Sequence, residues 1–144
     1  MTIEQLEKIS WLNRAFQIEN KVESLEALVE HDRERAQRIT ANCNSDDKGK
    51  STGGKNNSVY NSLMILAETE EKYHEALNEY NIVRKEIEAA IESMHDNELE
   101  TIMRHRYLTY KTWEQIAEAM DCSRMTVHRK HLKSLDKMLL NVTL

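Results

Sequence analysis

Proline is absent from the sequence, and its three glycines, Gly49, Gly53 and Gly54, fall within six consecutive positions. Outside that patch nothing breaks a helix, so the composition points to an all-α protein. Aromatics are scarce, at 6 %, while 31 % of residues are charged. Long polar-rich helices suit such a chain, because each needs to bury only one stripe. Long apolar runs are also missing. None approaches the roughly 18 residues that a membrane span requires, so no membrane partner is expected. The opening stretch MTIEQLEKIS has no basic segment leading into an apolar core. No export signal is therefore expected, and the expected compartment is the cytoplasm. In that compartment the two cysteines, Cys43 and Cys122, are expected to be reduced thiols.

The 144 residues suffice for one domain or two small ones. The net charge of −5 is unevenly spread. Residues 1–94 carry 12 basic and 18 acidic side chains, net −6, and residues 95–144 carry 8 and 7, net +1. Within residues 123–137 Arg124, Arg129, Lys130, Lys133 and Lys137 face only Asp136, a local net of +4. An acidic total does not exclude nucleic acid, because the field at the docking face matters more than the sum.

Two long segments carry heptad seams. The first, residues 3–39, is predicted as one helix with Trp11, Ala15, Ile18, Val22, Leu25, Val29, Ala36 and Ile39 on its seam and Asp32 interrupting it. The second, residues 59–94, has Leu63, Leu66, Tyr73, Leu77, Tyr80, Ile87, Ile91 and Met94, interrupted at Glu70 and Arg84. Residues 40–58, crowded with Gly, Ser, Asn and Asp, are expected to form a flexible loop between them. The expected architecture is a long helical hairpin or coiled-coil region over residues 1–95, serving oligomerisation, followed by a small helix-turn-helix domain over residues 96–144. The seams could pair within one chain or with a second copy. Asp96 or Asn97 can cap the first helix of the second domain, which carries Leu99, Ile102, Met103 and Tyr107.

Thr112 is expected to cap the next helix, with Gln115 completing a capping box. Trp113, Ile116, Ala117 and Met120 then form one apolar face. Asp121 and Cys122 make a turn where many such motifs place glycine, and Ser123 caps the following helix. Val127, Leu132, Leu135 and Leu139 are expected in the core and His131 partly exposed. Arg124, Met125, Thr126, His128 and Arg129 are left outward on the first turns, which in a helix-turn-helix enter the major groove. Arginine can donate two hydrogen bonds to a guanine edge, while histidine and threonine can contact a base or a phosphate. Lys130 and Lys133 suit backbone phosphates. The plainer alternative, two packed helices with a solvated basic face, leaves the charge concentration on one helix unexplained.

Residues 97–139, NELETIMRHRYLTYKTWEQIAEAMDCSRMTVHRKHLKSLDKML, resemble the fourth conserved region of bacterial sigma factors. The shared frame is RYL, then WEQIAEAM, then SRMTVHR, then a K-x-L-x-K end. The resemblance implies that the last helix reads a promoter element, with Arg124, Met125, His128 and Arg129 at base-facing positions and Thr126 at the backbone. Met125 stands where sigma factors commonly have an acidic residue, so a different target is expected. The region that melts promoter DNA is missing. In layout the chain is similar to RinA/ArpU-like phage transcriptional regulators, which implies control of late or packaging genes of a phage or prophage inside a bacterial host.

Other patterns carry less. GKST at Gly49–Thr52 has Asn44 where a phosphate-binding loop needs glycine, and no strand precedes it. His128 and His131, three residues apart near Cys122, lack a fourth ligand at zinc spacing. No catalytic residue, cofactor or metal is expected, and no enzyme. The expected function is sequence-specific transcription regulation on double-stranded DNA by a homodimer or higher homo-oligomer, with RNA polymerase a further partner. The alternative is a helical interaction or assembly module, such as a polymerase adaptor or a DNA-packaging subunit.

Overall fold

The computed structural model of the chain describes residues 1–45 and 53–140, with side chains described for 1–43 and 57–140. Every regular element among them is a helix: α1 (Ile3–Leu12), α2 (Arg14–Ser45), α3 (Gly53–Glu92), α4 (Asn97–Tyr107), α5 (Trp113–Ala119) and α6 (Arg124–Lys137). The fold is all-α, as composition suggested. Among the described residues no helix is long and apolar enough to cross a membrane.

The helix ends depart from expectation. The first long helix is interrupted at Asn13, whose backbone stays near-helical at φ −73 and ψ −6. Asn13 N–H donates to Ile9 O at 2.9 Å and Gln17 N–H to Asn13 O at 3.2 Å, so the break is slight. α2 then continues to Ser45 and α3 begins at Gly53. The predicted loop over residues 40–58 is therefore shorter at both ends. Its remainder, with the Gly49–Thr52 stretch, lies outside the described residues.

The chain divides into two compact units, Asn20–Glu79 and Met1–Glu19 with Tyr80–Leu144. In the first, α2 buries Val22, Val29, Asp32 and Ala36, and α3 buries Ser62, Thr69 and Ala76. Asp32, only 7 % exposed, accepts a hydrogen bond from Thr69 Oγ1 at 2.8 Å. Arg33 pairs with Glu70 at 3.5 Å, while Ala36 and Ala41 lie beside Leu63 and Leu66 farther along. Rising numbers on one helix meet falling numbers on the other, so these segments run antiparallel within one chain. The expected seam of α3 is corrected at Leu63, while Leu66, Tyr73, Leu77 and Tyr80 are half-buried and Ile87, Ile91 and Met94 buried. Ser62, Thr69 and Ala76 take the inward positions, whereas Leu63 is 50 % exposed. Small side chains win there because they let two helix backbones approach and leave room for the buried Asp32–Thr69 bond.

The other unit gathers Leu12 and Ala15, then Val83, Ile87, Ala90, Ile91 and Met94, then Leu99, Met103, Tyr107, Leu135 and Met138 around one core. The expected boundary at residue 95 therefore falls between residues that share this core. α1 is bound to the end of α6. Lys8, almost entirely buried, donates from Nζ to the carbonyls of Leu135 at 2.7 Å and Met138 at 3.2 Å. These are carbonyls that a helix C-terminus otherwise leaves unsatisfied. Gln5 Nε2 donates to Asp136 Oδ1 at 2.9 Å beside them. Leu139, expected in the core, is 71 % exposed. α6 stops at Lys137, and Met138 turns extended at φ −70 and ψ 131, which puts Met138 inward instead.

Candidate nucleic-acid interface

Three caps position the last three helices, each within a few residues of its target. Asp96 accepts from the N–H groups of Glu98 at 3.1 Å and Leu99 at 3.2 Å to start α4. Thr112 Oγ1 accepts from Gln115 N–H at 3.2 Å, and Thr112 N–H donates to Gln115 Oε1 at 2.9 Å, the expected capping box of α5. Ser123 Oγ accepts from Thr126 N–H at 3.1 Å to start α6. Between α5 and α6 the chain reverses at Asp121, which takes φ 52. Asp121 N–H donates to Glu118 O at 3.2 Å and Cys122 N–H to Ala117 O at 3.1 Å. That is the paired hydrogen bonding of a Schellman C-cap, with aspartate in the left-handed position that glycine usually fills. Ile102, Ile116, Ala117 and Val127 then lock α4, α5 and α6 into a small core, flanked by Trp113, Met120 and Cys122.

Burying Val127, His131, Ser134 and Leu135 leaves the opposite face of α6 to solvent. Met125, Arg129 and Lys133 are exposed on it, and Arg124 is exposed at the first position of the helix, as expected. Thr126, His128 and Lys130 are half-buried. Thr126 Oγ1 lies 2.8 Å from Ser123 Oγ, so it supports the cap. His128 tilts against Trp113 at a 4.8 Å ring separation.

The local net of +4 is partly answered inside the chain. Arg124 pairs with Glu114 at 3.0 Å, Lys137 with Asp96 at 3.9 Å, and Lys130 with Glu98. Among the described residues Arg129 and Lys133 form no ion pair. Glu114 sits in the first turn of α5. A backbone hydrogen bond there, then the Arg124 charge, holds its carboxyl below the usual carboxylate range. The Arg124–Glu114 pair is solvent-exposed on both sides, so it orients side chains and adds little stability.

His131 corrects the expectation of partial exposure, for it is 3 % exposed. Its Nε2 lies 2.6 Å from Tyr107 Oη, and its ring meets Trp113 edge-on at 4.7 Å. Burial, then the charges of Arg106 and His128, lowers its pKa to about 4. Burial pushes the Tyr107 phenol up to about 12. Arg106 stacks over Trp113 at 4.4 Å and donates from Nη1 to Lys111 O at 3.1 Å. Sequence reading missed Glu114, Glu98 and Arg106 because their partners lie on other elements, beyond any local spacing rule. Among the described residues no three His, Cys, Asp or Glu side chains converge as a metal site would need.

What this arrangement can do is present a short, capped, cationic helix face from a rigid base. Comparison with known proteins bears on descent rather than on activity. Neither the curated proteins nor the solved structures contain a match to the chain. A family model does match, over residues 38–139, and the chain belongs to that family, described as protein of unknown function (DUF1492).

Proposed function

We propose that the chain is a sequence-specific DNA-binding transcription regulator that docks α6 in the major groove of double-stranded DNA. The observation that carries this reading is the split of α6 into two faces. One is locked by Val127, His131 and Leu135, and the other offers Met125, Arg129 and Lys133 to solvent, with Arg124 exposed at the first position of the helix. A helix held this firmly at its base can present side chains to base edges at fixed depth. Arg124 and Arg129 serve guanine edges or phosphates, His128 and Thr126 flank them, and Lys130 and Lys133 serve phosphates. The sigma-like motif supports a promoter-type target, and the RinA/ArpU-like layout supports phage or prophage genes, probed in a bacterial cytoplasm. Two copies joined through the long helices would turn the second DNA contact into an intramolecular one.

The test starts with selection of a duplex from randomised DNA by the full-length protein. Arg124→Ala and Arg129→Ala should each weaken binding to that duplex about 10-fold or more, as loss of a base contact does. Helical circular dichroism should stay unchanged, and binding should fall steeply with salt. Unchanged affinity in both variants would overturn the reading.

A second reading, a helical interaction or assembly module, is favoured by one observation. Tyr60, Leu63 and Met64 are all exposed at i, i+3 and i+4 on α3. Capture of a defined protein partner by a chain that selects no DNA would decide for it.

A further inference from the structure

We infer that Met125 reads the 5-methyl group of a thymine, an inference that rests on the DNA reading above and names the base chemistry the α6 face selects. Met125 is 73 % exposed and occupies the second position of α6, one residue after Arg124 and one turn before Arg129. A single exposed apolar side chain is ordinary on a protein surface and by itself signifies nothing. The surroundings of this one are not ordinary. Arg129 and Lys133 share its solvent face, Arg124 precedes it at the exposed start of the helix, and Val127, His131 and Leu135 point the other way. The cations around it select a polyanion as the occupant. Within a duplex, the major-groove edges carry hydrogen-bonding groups at every base pair but one apolar group, the thymine methyl. A thioether chain cannot hydrogen-bond usefully to guanine or adenine edges, and placing it against them strips water without replacement. Against a thymine methyl the same side chain buries apolar surface on both partners.

Ser123 contributes the positioning. Its cap on Thr126 N–H starts the helix one residue before Arg124, so Met125 projects from the first turn, the part of a recognition helix that reaches deepest. Arg124 pairs with Glu114 of α5 at 3.0 Å, so in the free chain its guanidinium is held on the α5 side of Met125.

The experiment uses the full-length protein and the duplex recovered by selection from randomised DNA. Each thymine is replaced singly by deoxyuridine, which removes the methyl and leaves the hydrogen-bonding edge intact. For the wild type one replacement should weaken binding about fourfold, the worth of one methyl-sized group withdrawn from water. For Met125→Ala the same replacement should have no effect, while for Arg124→Ala the sensitivity should persist on weaker overall binding. A duplex indifferent to every methyl, or a sensitivity that survives in Met125→Ala, would overturn the inference and leave the DNA reading standing. Recovery of no selective duplex would overturn both.

Discussion

His131 shows how one side chain of α6 can serve folding while its neighbours face outward. Its ring is enclosed by Tyr107 and Trp113, and its pKa falls from 6.5 to about 4, chiefly through burial. The folded chain therefore refuses a proton that the unfolded chain accepts below pH 6.5. Stability from this group is full above about 6.5 and is lost as the pH falls toward 4, by up to about 1.4 kcal/mol per pH unit. Urea midpoints measured from pH 7.5 to 4 should fall more steeply for the wild type than for His131→Gln. His105, also lowered by burial and by Lys111, adds the same sign but is common to both proteins and cancels. Parallel midpoint curves would show that His131 protonation is not linked to unfolding. At this scale the sequence was legible where exposure decided the answer. Met125, Arg129 and Lys133 could be placed outward by helical period alone. The inward turn of His131 could not, because histidine suits either environment and its partner Tyr107 lies 24 residues away.

Among the elements, the turn between α5 and α6 was readable, and the α2–α3 packing only in part: Val22, Val29 and Ala36 are buried on α2 as expected, but the inward residues of α3 differ. Caps are decided within three or four residues, so Thr112, Gln115 and Ser123 could be assigned by eye. The same T-x-x-Q pattern at Thr2 and Gln5 forms a capping box on α1 and could have been found by the same rule. Helix pairing is decided by which face a distant helix touches. Heptad spacing of apolar residues puts Leu63 and Leu77 on the seam. The contact with α2 buries Ser62, Thr69 and Ala76 and leaves Leu63 exposed, with Leu66, Tyr73 and Leu77 half-buried. Asp121 offers a test of the turn. An aspartate at φ 52 bears a left-handed strain that glycine would not. Because its hydrogen bonds are made by backbone atoms, Asp121→Gly should keep the Schellman pattern and raise stability by about 1 kcal/mol. Equal or lower urea midpoints in the variant would mean that the aspartate side chain compensates for its backbone.

On the scale of the whole chain, a cut at residue 95 is the natural reading of the sequence, since the heptads stop and a sigma-like motif begins. Composition changes there, but packing does not. Of the twelve buried residues in the larger core, seven precede residue 95: Leu12, Ala15, Val83, Ile87, Ala90, Ile91 and Met94. The five that follow would be stripped of most of their neighbours in a fragment of residues 96–144. That fragment would also lose Lys8 from the carbonyls of Leu135 and Met138, and Gln5 from Asp136. It would keep the smaller core of Ile102, Ile116, Ala117 and Val127. The fragment should therefore retain α5 and the start of α6 while the end of α6 frays. In amide hydrogen exchange, protection at Leu132–Lys137 should drop at least 10-fold relative to the full chain, with smaller losses at Ile116 and Val127. A chain in which residues 20–79 are replaced by a flexible linker keeps all twelve core residues and should restore that protection. If the isolated fragment instead protects the end of α6 as fully as the intact protein, α1 and the α3 end are dispensable to the DNA-facing helix. The view that this helix is held from both sides of residue 95 would then fall.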